Sequence, residues 1–95
     1  MKTRKFAKDL MLAITEEDTP EGFEIVEEGE WIQDYKYQCR EIVFKFEDKH
    51  YSLVESRSGS AFTDWYYNSE DWNDEVEVTE VEPVEVIEVG WRAVL

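Results

Sequence analysis

One histidine, one cysteine and 24 carboxylates bound the chemistry open to this 95-residue chain. Nucleophilic catalysis sets a serine or cysteine beside a base. The only histidine, His50, follows Asp48 in a polar stretch and reads as a solvated turn residue. Cys39 falls on a strand and reads as a packed side chain. A pair of carboxylates of the glycosidase kind carries no information here, because carboxylates are too abundant for any pair to stand out. A domain of this size also has little interior for a substrate pocket. The sequence therefore predicts no catalytic residue and no enzyme.

Metal chemistry is equally poorly supported. A single cysteine makes neither an internal disulfide nor a cysteine-rich zinc site. Asp71, Asn73, Glu75 and Glu82 occupy positions 1, 3, 5 and 12 of a calcium-loop template. Position 6 of that template is a glycine, and here it is Val76. Its flanks read as strands and not as helices. No metal and no cofactor are expected.

Charge is the strongest feature. With 10 Lys and Arg against 24 Asp and Glu, the formal net charge is −14. Such a field repels nucleic acid and anionic membrane surfaces and attracts basic partners. From Asp64 to Leu95 there are ten carboxylates and one basic residue, Arg92. Glu75 and Glu77 are two apart, as are Glu80 and Glu82. Alternate residues of a strand share a face at roughly 6.5–7 Å, comparable with the spacing of successive phosphates along a DNA strand. A strand so decorated imitates a row of phosphates to a protein that grips DNA with Lys and Arg. The candidate partner-binding residues are Glu70, Asp71, Asp74, Glu75, Glu77, Glu80 and Glu82, with Trp72 as apolar anchor and Tyr66 as a further contact residue. Charge alone does not separate this reading from a plainer one, in which the acids keep a small β-protein soluble and guard its edge.

The elements that must position these residues follow from periodicity. Phe6, Ala7, Leu10, Met11 and Ile14 fit one face of a helix over about 3–16. Its basic start and its acidic end, Glu16 to Asp18, both oppose the helix dipole, so it needs a sheet to dock on. Thr19-Pro20-Glu21-Gly22 is a turn. A strand is expected over about 23–32, with Gly29 as a bulge or break. Residues 36–46 form the clearest strand, with Ile42, Phe44 and Phe46 on one face, and turn at 47–50 into a second strand from Tyr51. Arg57-Ser58-Gly59-Ser60 reads as a tight connection aiming Phe62, Trp65 and Tyr67 at the core. Residues 68–75 read as an exposed polar loop. The valine and glutamate tail changes parity near Pro83, which predicts two short strands, about 75–80 and 84–94. The expected fold is α+β, one N-terminal helix on an antiparallel sheet of four or five strands, in a single domain over 1–95 with its β-region over about 23–94. The basic first five residues resemble the start of a signal peptide, but Lys8 and Asp9 break the apolar run. No segment reaches transmembrane length, and a reduced cytoplasmic setting is expected.

The run Arg57-Ser58-Gly59-Ser60-Ala61-Phe62-Thr63-Asp64-Trp65-Tyr66-Tyr67 stands out. It follows the hairpin Phe44-Lys45-Phe46-Glu47-Asp48-Lys49-His50-Tyr51 and precedes a Val/Glu tail closing on Trp91. Together they look like small uncharacterised proteins of phages and prophages of Gram-positive bacteria. The resemblance spans about residues 40–94. It implies a phage-derived protein acting in a bacterial cytoplasm, where small acidic proteins resemble inhibitors of host defence. The expected function is a non-enzymatic inhibitor that enters the basic groove of a nucleic-acid-targeting defence enzyme, of anti-CRISPR or anti-restriction type, as a DNA mimic. The alternative is a phage regulatory or assembly module that binds a protein through the aromatic segment 62–72.

Overall fold

The computed structural model describes residues 1–34, 37–60, 63–85 and 89–94. In chain order they form β1 (Thr3–Ala7), α1 (Lys8–Thr15), β2 (Phe23–Glu28), β3 (Ile32–Asp34), β4 (Tyr37–Phe46), β5 (Lys49–Ser60), β6 (Thr63–Tyr67), a 3-10 turn over Asn68–Asp71, β7 (Glu75–Glu85) and β8 (Val89–Ala93). All eight strands belong to one antiparallel sheet, ordered β1-β7-β5-β4-β2. This overturns the expected α+β fold of four or five strands. The helix has only eight residues, and the sheet dominates.

The long β4–β5 hairpin is the frame. Ten residue pairs join it, from Tyr37↔Ser58 to Phe46↔Lys49. Its two-residue turn puts Glu47 at φ 52° and Asp48 at φ 66°, the left-handed pair that matches the twist of the flanking strands. His50 lies in β5 and not in a turn, and its ring lies 5.0 Å from Trp91. Two strands share each edge of the frame: β2 and β3 pair with β4, and β7 and β6 with β5. Arg57, Ser58 and Ser60 pair with β6, so the expected tight connection is the end of a strand. Phe62 lies outside the described residues, as does the side chain of Trp65. Gly29 donates to the Glu41 carbonyl at 2.8 Å, and a Cβ there would stand 2.8 Å from that oxygen. Glycine is needed for this close approach, while the bulge itself falls at Val26.

The expected helix over 3–16 is really a strand and a short helix. Phe6 meets Val76 and Arg4 meets Val78 across the β1–β7 ladder. Thr3, Lys5 and Ala7 carry the alternate side chains, and Thr3 and Ala7 pair with Thr79 and Glu75. Phe6 is thereby delivered to the core, with ring centroids 5.2–5.6 Å from Phe23, Phe44, Phe46 and Tyr51. The guanidinium of Arg4 covers this cluster, 4.9 Å from both Phe6 and Phe46. Helix α1 buries Met11 and Ile14 against Ile42, Leu53 and the valines of β7. Its C-terminal carbonyl, Thr15, accepts from Arg40 at 2.6 Å. That contact supplies from β4 the cation that the helix's own acidic end lacks.

Strand β7 runs unbroken through the point where two strands were expected. Its outer partner changes from β1 to β8 at Glu80, whose N–H donates to Lys2 and whose carbonyl accepts from Val94, both at 2.9 Å. Backbone groups alternate, so Val81 and Pro83 point inward to β5. The β5–β7 pairing ends at His50↔Val81. Pro83 therefore sits one step past the strand that would have needed its N–H. Val86 and Ile87, which carry part of the expected change of parity, lie outside the described residues.

Phe6 is 6% exposed at the centre of four rings. Replacing Phe6 with Ala should cost about 3–5 kcal/mol in urea unfolding. A loss below about 1 kcal/mol would contradict the strand assignment of residues 3–7.

Candidate functional site

The β1–β7 register decides where the tail carboxylates go. Val76 and Val78 are buried in the core. Glu75 and Glu77 therefore project from the opposite face of the sheet, where both are exposed. Because β7 has no register shift, Glu80 and Glu82 fall on the helix side. Both are engaged there: Glu80 with Lys49 at 3.5 Å, and Glu82 with Arg92. The two glutamate pairs read from the sequence thus lie on opposite faces and form no single row.

Other predicted residues do converge. Asp71, Asp74, Glu75 and Glu77 line one open depression of about 630 Å³, together with Lys5, Trp72, Asn73 and Val76. Glu70 is exposed in the adjoining 3-10 turn. Residues 68–75 are less loop-like than expected. Ser69 is buried, and Asn68 Oδ1 accepts from the Ser56 N–H at 3.0 Å. The Asp74 carbonyl accepts from Lys8 at the start of α1. Trp72 packs against the hydrophobic core, so it is a wall of the depression and not the free anchor expected. Lys5 was missed, because its place opposite Glu77 depends on a register no sequence pattern states.

Tyr66 is exposed, as a contact residue requires. Its hydroxyl donates to Asp71 Oδ1 at 2.6 Å. This hydrogen bond to a carboxylate, with partial desolvation and the charges of Asp71 and Glu70, raises the phenol's pKa above the usual tyrosine value.

The four arginines all have acceptors within the molecule. Arg4 bonds to Glu47 and Tyr51, and the Tyr51 bond leads in raising its pKa further. Arg40 pairs with the buried Glu55 at 2.8 Å. Arg57 bonds to Gln38 and Tyr67, and Arg92 to Glu82. Trp31 lies between two of them, 5.0 Å from Arg40 and 4.1 Å from Arg57. A cleft of about 300 Å³ opens beside this group, lined by Leu12, Thr15, Trp31, Arg40, Glu55 and Tyr67. Its guanidiniums already hold protein acceptors, which makes the group a staple between the β2–β3 connection, the hairpin and the helix. Among the described residues, no three His, Cys, Asp or Glu side chains group as metal ligands. No helix among them is long and apolar enough to cross a membrane.

An ionised Tyr66 would lose its bond to Asp71. The raised folded value means that this bond's stabilisation is complete below about pH 10 and is lost as pH rises through the folded pKa. In a near-ultraviolet titration of the tyrosines, one phenol absent from Tyr66→Phe should ionise late, and Asp71→Asn should return it to the ordinary range. An ordinary Tyr66 titration in the unaltered chain would contradict the contact.

Comparison with known proteins gives the origin. A stretch of 45 residues is 47% identical to an uncharacterised 12.6 kDa protein in the pin–nrdC intergenic region of Enterobacteria phage T4. The match covers 44% of this chain and 42% of that protein, so it spans less than half the length of the relative. The phage origin expected from the sequence is supported; a Gram-positive host and an anti-defence role find no support in the match. No solved structure matches the chain. The model of the Phage T4 Y04K protein family matches residues 1–94, and the chain belongs to that family.

Proposed function

We propose that this phage-family protein is a non-enzymatic inhibitor that competes with nucleic acid for a basic surface on a host enzyme. A nucleic-acid-targeting defence enzyme, of the CRISPR or restriction type, is the target class this chemistry suits. The observation that carries the reading is the depression shared by Asp71, Asp74, Glu75 and Glu77. Four carboxylates against one lysine, Lys5, in one open concavity leave a negative potential where a Lys- or Arg-rich surface can reach it. All four arginines of the chain have acceptors within the molecule, so the lysines are the cations left to offset the acidic surface, and the net charge is −14. The phosphate-like spacing survives at Glu75 and Glu77. Glu80 and Glu82 leave the proposed surface.

A second reading, a regulatory or assembly module binding through its aromatic segment, is favoured by Tyr66. That residue is exposed and held by Asp71 at the border of the same depression.

Capture from a bacterial lysate on immobilised protein, eluted with DNA or salt, separates these readings. Nucleic-acid enzymes should be retained and displaced by DNA. Glu75→Lys with Glu77→Lys should weaken capture at least ~10-fold, the scale of a lost set of interfacial charge contacts. Glu82→Lys should change it by less than about 2-fold. Equal effects from the two faces, or retention indifferent to DNA, would contradict the decoy reading.

A further inference from the structure

The sheet face opposite the helix carries more than carboxylates. Four of the exposed large apolar residues lie on it: Ile32 (69% exposed), Tyr37 (56%), Val54 (55%) and Tyr66 (47%). The strand registers make them one patch. Tyr37, Ser58 and Tyr66 form a row across β4, β5 and β6. Ile32, Cys39 and Ser56 form the next row across β3, β4 and β5. Val54 stands opposite Glu41 in the row after that. All of these positions alternate with Arg40, Ile42 and Leu53, which face the helix side, so they share the opposite face, on which Val43 and Ser52 farther along the hairpin are buried. The serines in the middle are small, and the apolar groups flank them. Two shallow depressions result, one of about 490 Å³ beside Ile32, Cys39 and Val54, the other of about 290 Å³ between Tyr37, Ser58 and Tyr66.

We infer that this patch receives a large apolar side chain of a basic partner protein, with Lys or Arg on either side of it. Contiguous apolar surface rimmed by polar groups marks an interaction site, and tyrosines are over-represented among residues that dominate binding energy. The rim sets the charge of the occupant. Arg40 and Arg57 also line the two depressions, but their guanidiniums are held by Glu55 and Thr15 and by Gln38 and Tyr67. Glu41 closes one end and Asp71 the other, and both are exposed. Each accepts one intramolecular bond, from Ser52 and from Tyr66 respectively, at 2.6 Å. A carboxylate has about four acceptor sites, so each retains capacity for an incoming cation. A second copy of this chain is a poor occupant, because two molecules of charge −14 would meet with their acidic rims opposed. Asp71 also lines the acidic depression, so the patch and the depression adjoin. The inference rests on the reading above for a basic partner and adds the apolar anchor and its seat.

A display library of random peptides panned on the full chain tests it. Enriched peptides should carry an aromatic or large aliphatic residue with Lys or Arg within two positions. Ile32→Ser and Val54→Thr, both at exposed sites, should each weaken such a peptide by ~10-fold, the scale of a buried interface anchor, with an unchanged melting temperature. No enrichment, an acidic or neutral consensus, or unchanged affinity in both variants would overturn the inference. So would self-association in sedimentation that Ile32→Ser abolishes, since a second copy would then be the occupant. The two proposals fail separately. If only Glu75→Lys with Glu77→Lys removes lysate capture and Ile32→Ser does nothing to either assay, the acidic reading stands without the patch. The converse leaves the patch without the decoy.

Discussion

Phe6 reaches the centre of the core from the outermost strand, and the four rings around it come from β2, β4 and β5. An edge strand has one ladder, here to β7. Burying Phe6 therefore fixes the register of β1 against β7, because a slip of one residue would turn Phe6 to solvent. The same register places Val76 and Val78 inward and Glu75 and Glu77 outward. Since β7 continues straight to Glu85, it also sends Glu80 and Glu82 back to the helix side. The composition of the acidic surface is thus a by-product of how one phenylalanine is buried.

Positive charge is used as internal mortar. Arg4 covers the aromatic cluster, Arg40 joins the helix end to a buried glutamate, and Arg57 stacks on Trp31 while bonding to Gln38 and Tyr67. The Arg40–Glu55 pair is costly to desolvate, and its worth lies in satisfying the carbonyl of Thr15 as well as the carboxylate. Using arginines this way stabilises a small domain and leaves lysines as the counter-charge on its outer surface. Structure and electrostatic display are coupled in this chain.

The β4–β5 hairpin was legible because Ile42, Phe44 and Phe46 alternate strictly and the turn after them is polar. The region 3–16 was misread because two periods fit it. Phe6, Leu10 and Ile14 are spaced as a helix, while Arg4 and Phe6 are spaced as a strand. The charge pattern opposing the helix dipole was the sign that helix did not fit the whole segment. In the tail, parity marked Glu75 and Glu77 as distinct from Glu80 and Glu82, but Pro83 suggested a break. Only the end of the β5–β7 pairing at His50 shows why the strand tolerates it. Among site residues, Tyr66 was correctly marked as exposed and Trp72 was not, since composition does not say which aromatic faces the core. Ile32 and Tyr37 were missed as surface residues. Tyr37 does share the parity of Glu41 and opposes that of Ile42, a signal that was present in the sequence.

The central claim is that one face of the sheet, and not the overall charge, meets the partner. Backbone amide shifts during titration with an arginine-rich peptide at physiological salt test it most directly. The account predicts that perturbations gather at Asp71, Asp74, Glu75 and Glu77 and spread to Tyr66 and Tyr37. Shifts distributed equally over Glu80, Glu82 and the acidic end of α1 would contradict it.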